Sequence, residues 1–121
     1  MRYPLDELLD KRSIIKLKIE RIDDKEDIPN LEKEFRDYSK AIQKYIQESV
    51  CTKQQVNKWY DDLYEANGKT WDLETNIRKG QLGNMSLEKV GETAIKIRES
   101  NGIRIRIKSD IVETIGQDIK T

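Results

Sequence analysis

The sequence predicts an all-α fold, an elongated antiparallel bundle of about four helices built on a long hairpin of the third and fourth. Three observations predict it. Apolar residues recur at alternating steps of three and four along most of the chain. Charged residues make up 38% of the 121 residues and there are only two prolines, a composition that suits long, water-washed helices rather than sheets. Two apolar seams, read independently, also agree on one antiparallel register. The length fits a single domain, residues 1–121.

The first helix is predicted over residues 4–23. Pro4 suits a first turn, where its missing N–H would have no partner, and Asp6 and Glu7 sit at the positive end of the helix dipole. Leu5, Leu8, Ile15, Ile19 and Ile22 follow a heptad, with Leu9 widening the face. Arg12 fills the missing seam position and is expected to reach outward along its stem. Ile14 and Leu17 fall off the seam and suggest a second contact. Residues 23–27 are a charged connector without calcium-loop spacing. The second helix starts near Pro29 and repeats Leu31, Phe35, Tyr38, Ile42, Tyr45 and Ser49 at four-three spacing.

The third helix, residues 52–80, opens on Thr52-Lys53-Gln54-Gln55, a capping box, and Gly80 is its expected stop. Val56, Trp59, Leu63, Ala66, Thr70, Leu73 and Ile77 make one stripe. Tyr60, Tyr64, Asn67 and Trp71 make a second beside it, and a helix with two such faces needs two partners. Tyr60, Tyr64 and Trp71 are the candidate interface residues. After a turn at Gly83-Asn84, the fourth helix is capped by Ser86. Its seam is Leu87, Val90, Ala94, Ile97, Asn101, Ile105, Lys108, Val112 and Ile115, with Gly116 as the stop.

Folded back at Gly83-Asn84, the two seams pair with a nearly constant sum of residue numbers, including Ile77 with Val90 and Leu63 with Ile105. Agreement of that kind is what a foldable sequence shows. The same register brings Asn67-Gly68 beside Asn101-Gly102. The glycines are expected to permit close approach, and Asn67 and Asn101 to act as a register-fixing polar pair. The run Ile103 to Lys108 alternates like a strand, but a lone strand would have no partner, so helix is expected there.

Some of these residues resemble a family. Leu5-Asp6-Glu7-Leu8-Leu9-Asp10-Lys11-Arg12-Ser13-Ile14 with Ile19-Glu20-Arg21-Ile22, Trp71-Asp72-Leu73-Glu74 with Ile77-Arg78, and Ser100-Asn101 with Arg104, Ile107-Lys108 and Ile111 are similar to the pattern of a small family of uncharacterised helical proteins of bacteria and phages. The chain has Arg12 where that family usually has Leu, and Gly102 where an acidic residue is common. The resemblance supports helix at 103–108 and implies no activity. It marks Asp10, Lys11, Glu20, Arg21, Trp71, Asp72, Arg78, Asn101 and Arg104 as the polar and aromatic positions to watch. The alternative reading of these residues is salt bridges and register pins between helices.

Composition excludes several functions. Lys+Arg and Asp+Glu number 23 each, so the basic excess of a general nucleic-acid binder is missing. There is no histidine, which excludes Ser–His–Asp and Cys–His catalysis and His-ligated metals. The single cysteine, Cys51, cannot form an intrachain disulfide and fits a reducing compartment. No apolar leader and no membrane-length apolar window occurs, so a cytoplasmic protein without a membrane partner is expected. The reading is a non-enzymatic interaction or oligomerisation module of the coiled-coil type, a homo-oligomer with a dimer favoured, with no cofactor and no metal. Two alternatives stand beside it. One is a metal-dependent all-α nucleotide phosphohydrolase using Glu20 with Asp23, or Asp61 or Asp62 with Glu65. The other is a nucleic-acid binder using a basic face of Lys96, Arg98, Arg104, Arg106 and Lys108.

Overall fold

The computed structural model describes residues 3–83 and 85–119. Four helices follow in order: α1 Leu5–Arg21, α2 Ile28–Gln47, α3 Lys53–Leu82 and α4 Leu87–Ile119, with one 3-10 turn, Lys25–Asp27, between the first two. No strand occurs among the described residues, and residues 103–108 lie within α4. The bundle is all-α and its longest elements are the α3–α4 hairpin, about 45 and 50 Å at 1.5 Å per residue. Asn84 of the expected turn lies outside the described residues.

Local chemistry sets the ends. Pro4 stands just before α1 rather than within its first turn, and its carbonyl accepts from the Leu8 N–H at 3.1 Å. The 3-10 turn is capped by Asp24, whose carboxylate accepts from the Glu26 N–H. Pro29 sits in the first turn of α2. The α2 end is a Schellman motif: the Val50 N–H bonds the Tyr45 carbonyl and the Ser49 N–H bonds the Ile46 carbonyl. Ser49 occupies the left-handed position, φ 60°, so it closes α2 instead of extending its apolar stripe. The Thr52–Gln55 capping box forms reciprocally, with bonds of 2.9 and 3.1 Å. Ser86 Oγ accepts from the Lys89 N–H at the start of α4. Gly80 and Gly116 do not stop their helices, which run on to Leu82 and Ile119.

α1 is the central element and packs against α2, α3 and α4. It lies parallel to α3 and antiparallel to α2 and α4, as its partners show: Arg12 with Tyr60 and Arg21 with Asp72 on α3, Glu7 with Lys108 and Asp10 with Arg104 on α4, and Arg12 with Ser39 on α2. That is why Leu17, off the heptad seam, is fully buried. The apolar core sits where the start of α1, the end of α2, the start of α3 and the end of α4 meet. Leu5, Leu8, Leu9, Ile42, Tyr45, Cys51, Val56, Trp59, Leu63 and Ile111 form it. At the far end α1 stops level with Asp72, so the rest of α3 and the first turns of α4 have only each other. Leu73, Ile77, Val90 and Ile97 there are half-buried.

The fold-back register holds, with Ala66 and Ser100 lining one groove between the helices and Leu73 and Thr93 lining another. The face of α4 does not. Thr93, Ser100 and Ile111 are buried, while Ile105 is 61% and Val112 55% exposed. The helix is rotated by about one residue from the expected seam, so Ile105 does not face Leu63. The cause lies in the polar members of the buried stripe. Thr93 is satisfied by bonding back to the Lys89 carbonyl, and Arg104 by a carboxylate on α1. A stripe containing them can therefore be buried ahead of a more apolar one.

Candidate functional site

Above the apolar core, α1, α3 and α4 meet in a layer of polar side chains centred on Asp10, which is 1% exposed. Arg104 donates to it as a fork, Nε at 3.0 Å to Oδ1 and Nη2 at 2.6 Å to Oδ2. The Asn67 amide donates to Asp10 Oδ1 at 2.9 Å and to Ser13 Oγ at 2.8 Å. Ser13 in turn donates to the Asp10 carbonyl. Lys108 Nζ lies 3.7 Å from Asp10 Oδ2 and bonds Glu7 at 2.6 Å. Burial by itself pushes the Asp10 carboxyl up. The bonds from Arg104 and Asn67, with the charges of Arg104 and Lys108, outweigh it and hold the group below its ordinary value. The bond to Asp10 also raises Arg104. An ionised carboxylate so fully occupied pins three helices in register. It has no spare lone pair aimed at a substrate.

A second cluster lies on the neighbouring face. The Arg12 guanidinium lies over two rings, 4.2 Å from the Tyr60 centroid and 5.5 Å from that of Phe35. Its Nη1 donates to Ser39 at 3.2 Å. Its Nε is the one buried side-chain nitrogen or oxygen without a hydrogen-bond partner among the described residues. Burial lowers the Arg12 pKa and raises that of Tyr60, each partly offset by the other's charge. Instead of reaching outward, Arg12 ties α1 to α2 and α3. Tyr64 donates to Glu20, and that bond is the main cause of its raised pKa.

The second stripe of α3 finds partners within the chain at three of its four positions, although Tyr60, Tyr64 and Trp71 are each only half-buried. Tyr60 meets Arg12, Tyr64 meets Glu20, and Asn67 meets Asp10 and Ser13, while Trp71 is half-buried. Tyr60, Tyr64 and Asn67 each contact α1. Asn67 does not donate to Asn101, which is half-buried on α4. Nor do the two glycines meet. A Cβ at Gly68 would touch Leu17 and Arg21 at 3.7 Å, and one at Gly102 would meet nothing within 4 Å.

Four of the nine positions marked by the family pattern pair with one another: Asp10 with Arg104, and Arg21 with Asp72. Lys11 lies over the Tyr3 ring at 5.1 Å, and Arg78 donates to Thr75 at 3.4 Å. Reading the sequence missed the roles of Glu7, Ser13, Ser39 and Lys108. The acidic sets do not gather. Asp62 bonds Lys58, Glu65 lies 4.0 Å from Lys69, and no group of three or more potential metal ligands occurs among the described residues. The basic face of α4 is split, with Arg104 and Lys108 turned inward and Lys96, Arg98 and Arg106 exposed. No described helix is long and apolar enough to cross a membrane. No family model, curated protein or solved structure matches the chain.

Proposed function

We propose that the chain is a non-enzymatic helical module that works in the cytoplasm by self-association, as a dimer formed through coiled-coil contacts. One observation carries the reading. Large apolar side chains stand in water along α4, with Leu87 at 90%, Ile105 at 61% and Val112 at 55% exposure. Leu87, Ile105 and Val112 fall on one line of the helix, while the exposed Ile95 and Ile103 lie off it; apolar side chains gathered on one face are what a partner surface presents. The polar layer supports the same view, because its charged groups are satisfied by one another and serve to hold the helices in place. A sequence with a single cysteine, the buried Cys51, suits a reducing cytoplasm.

Sedimentation velocity over a wide concentration range tests the proposal. The expected result is a mean mass rising above the 14.3 kDa of one chain as concentration increases. A mass fixed at that of one chain throughout would refute it.

A further inference from the structure

We infer that the partner is a second copy of this chain, and that the contact is α4 against α4 in antiparallel orientation. The inference rests on the self-association proposed above and assigns it a surface. At 3.6 residues per turn, Leu87, Ala94, Arg98, Asn101, Ile105 and Val112 fall within about 60° of one another on α4. Five of them are exposed and Asn101 is half-buried. This is the stripe left open once α4 turns Thr93, Ser100, Arg104 and Ile111 toward its own chain.

The order of residue types along the stripe is symmetric. Reverse the helix about the point between Glu99 and Ser100, and Leu87 falls opposite Val112, Ala94 opposite Ile105 and Arg98 opposite Asn101. Apolar residues meet apolar ones, with a small residue facing a large one in the middle layers, and the polar pair meets at the centre. A two-fold contact requires this self-complementarity, since each patch must fit itself. A parallel pair would instead stack Ala94 on Ala94 and Ile105 on Ile105, losing the match of small against large. The antiparallel arrangement lays the partner's residues 86–94 along a groove of about 370 Å³ lined by Asp6, Ile105, Lys108, Ser109, Val112 and Glu113. Gly91 then faces Lys108 and leaves room for its stem.

The stripe is about 38 Å long and one helix, about 10 Å, wide. That gives a footprint on the order of 400 Å² per copy, about 800 Å² in all, below the roughly 1,000 Å² of a stable pair and in the range of weak, transient contacts. The dimer is therefore reversible and dependent on concentration.

The test combines one disrupting variant with two cross-linking variants of the full chain. Ile105→Arg places a charge on the stripe beside Asp6 and Glu113, at a position 61% exposed in the single chain. It should leave the helical circular dichroism unchanged, and the melting temperature unchanged at concentrations where the wild type is a single chain, while abolishing the concentration-dependent rise in mass. Under mild oxidation, the double variant Ala94→Cys, Ile105→Cys should cross-link into dimers, and Val112→Cys alone should not. Wild-type association that persists in Ile105→Arg, or cross-linking of Val112→Cys alone, would overturn the α4 assignment and leave self-association standing. A wild-type chain that stays single at every concentration would overturn both.

Discussion

Replacing Arg104 with methionine isolates the polar layer. Methionine keeps much of the packed volume and removes both arms of the fork to Asp10. The carboxylate left behind is 2% exposed, with Asn67 at 2.9 Å and Lys108 at 3.7 Å as its remaining partners. Breaking a buried ion pair by removing one member costs about 3–5 kcal/mol. Arg104 is itself 33% exposed and Lys108 takes over part of its role, so the lower end, about 3 kcal/mol, is expected at pH 7. That is a large share of the roughly 5–15 kcal/mol that holds a domain together.

The loss should also depend on pH. In the wild type, Asp10 lies below its ordinary value of 3.8. Its contribution is therefore present above that pH and fades as the pH falls through the folded value. Without Arg104, the bond that lowers it most is gone and the folded value moves up. The variant therefore keeps less of the stability that an ionised Asp10 supplies above its ordinary value. Urea unfolding at pH 7 and pH 3 reads both effects, with a smaller gap between variant and wild type expected at pH 3, where the wild-type contribution is fading. A gap under about 1 kcal/mol at pH 7, or one that does not narrow at pH 3, would refute the assignment of Asp10 as a buried ionised anchor.

Three further outcomes follow. Leu63→Ala, at a fully buried core position, should cost about 2–5 kcal/mol in chemical denaturation. Asn67→Leu removes the donor shared by Asp10 and Ser13 and should cost about 1–3 kcal/mol. The matching change Asn101→Leu should shift single-chain stability by less than about 0.5 kcal/mol, measured below the concentration at which chains associate. Ser49→Gly relieves a left-handed residue at the α2 end and should raise stability by about 1 kcal/mol, seen as a higher melting temperature.

The helices were legible because three-four spacing and capping chemistry are local. Thr52 and Gln55 announce the start of α3, and the summed register of the hairpin follows from periodicity. The face of α4 was not legible, because two stripes run side by side and the more apolar one is the exposed one. What decides between them is Arg104, whose partner lies 94 positions away. Nothing in a single sequence links such distant charges; the family pattern marked Asp10 and Arg104 without pairing them. Arg12 misled in a similar way, since a charge on an apolar seam reads as an outward stem until the rings of Phe35 and Tyr60 are seen against it.

The overhang of the α3–α4 hairpin beyond Asp72 gives one continuous helix two environments. Near Ile111, opening α4 means breaching the four-helix core; near Val90, only a single neighbouring helix has to let go. Amide hydrogen exchange should record this as a slope along α4, with fast exchange through its first turns and protection approaching the global unfolding limit toward Ile111. Proteases would likewise find their first cut at that outer end, leaving the three-way junction around Asp10 intact until the whole chain unfolds.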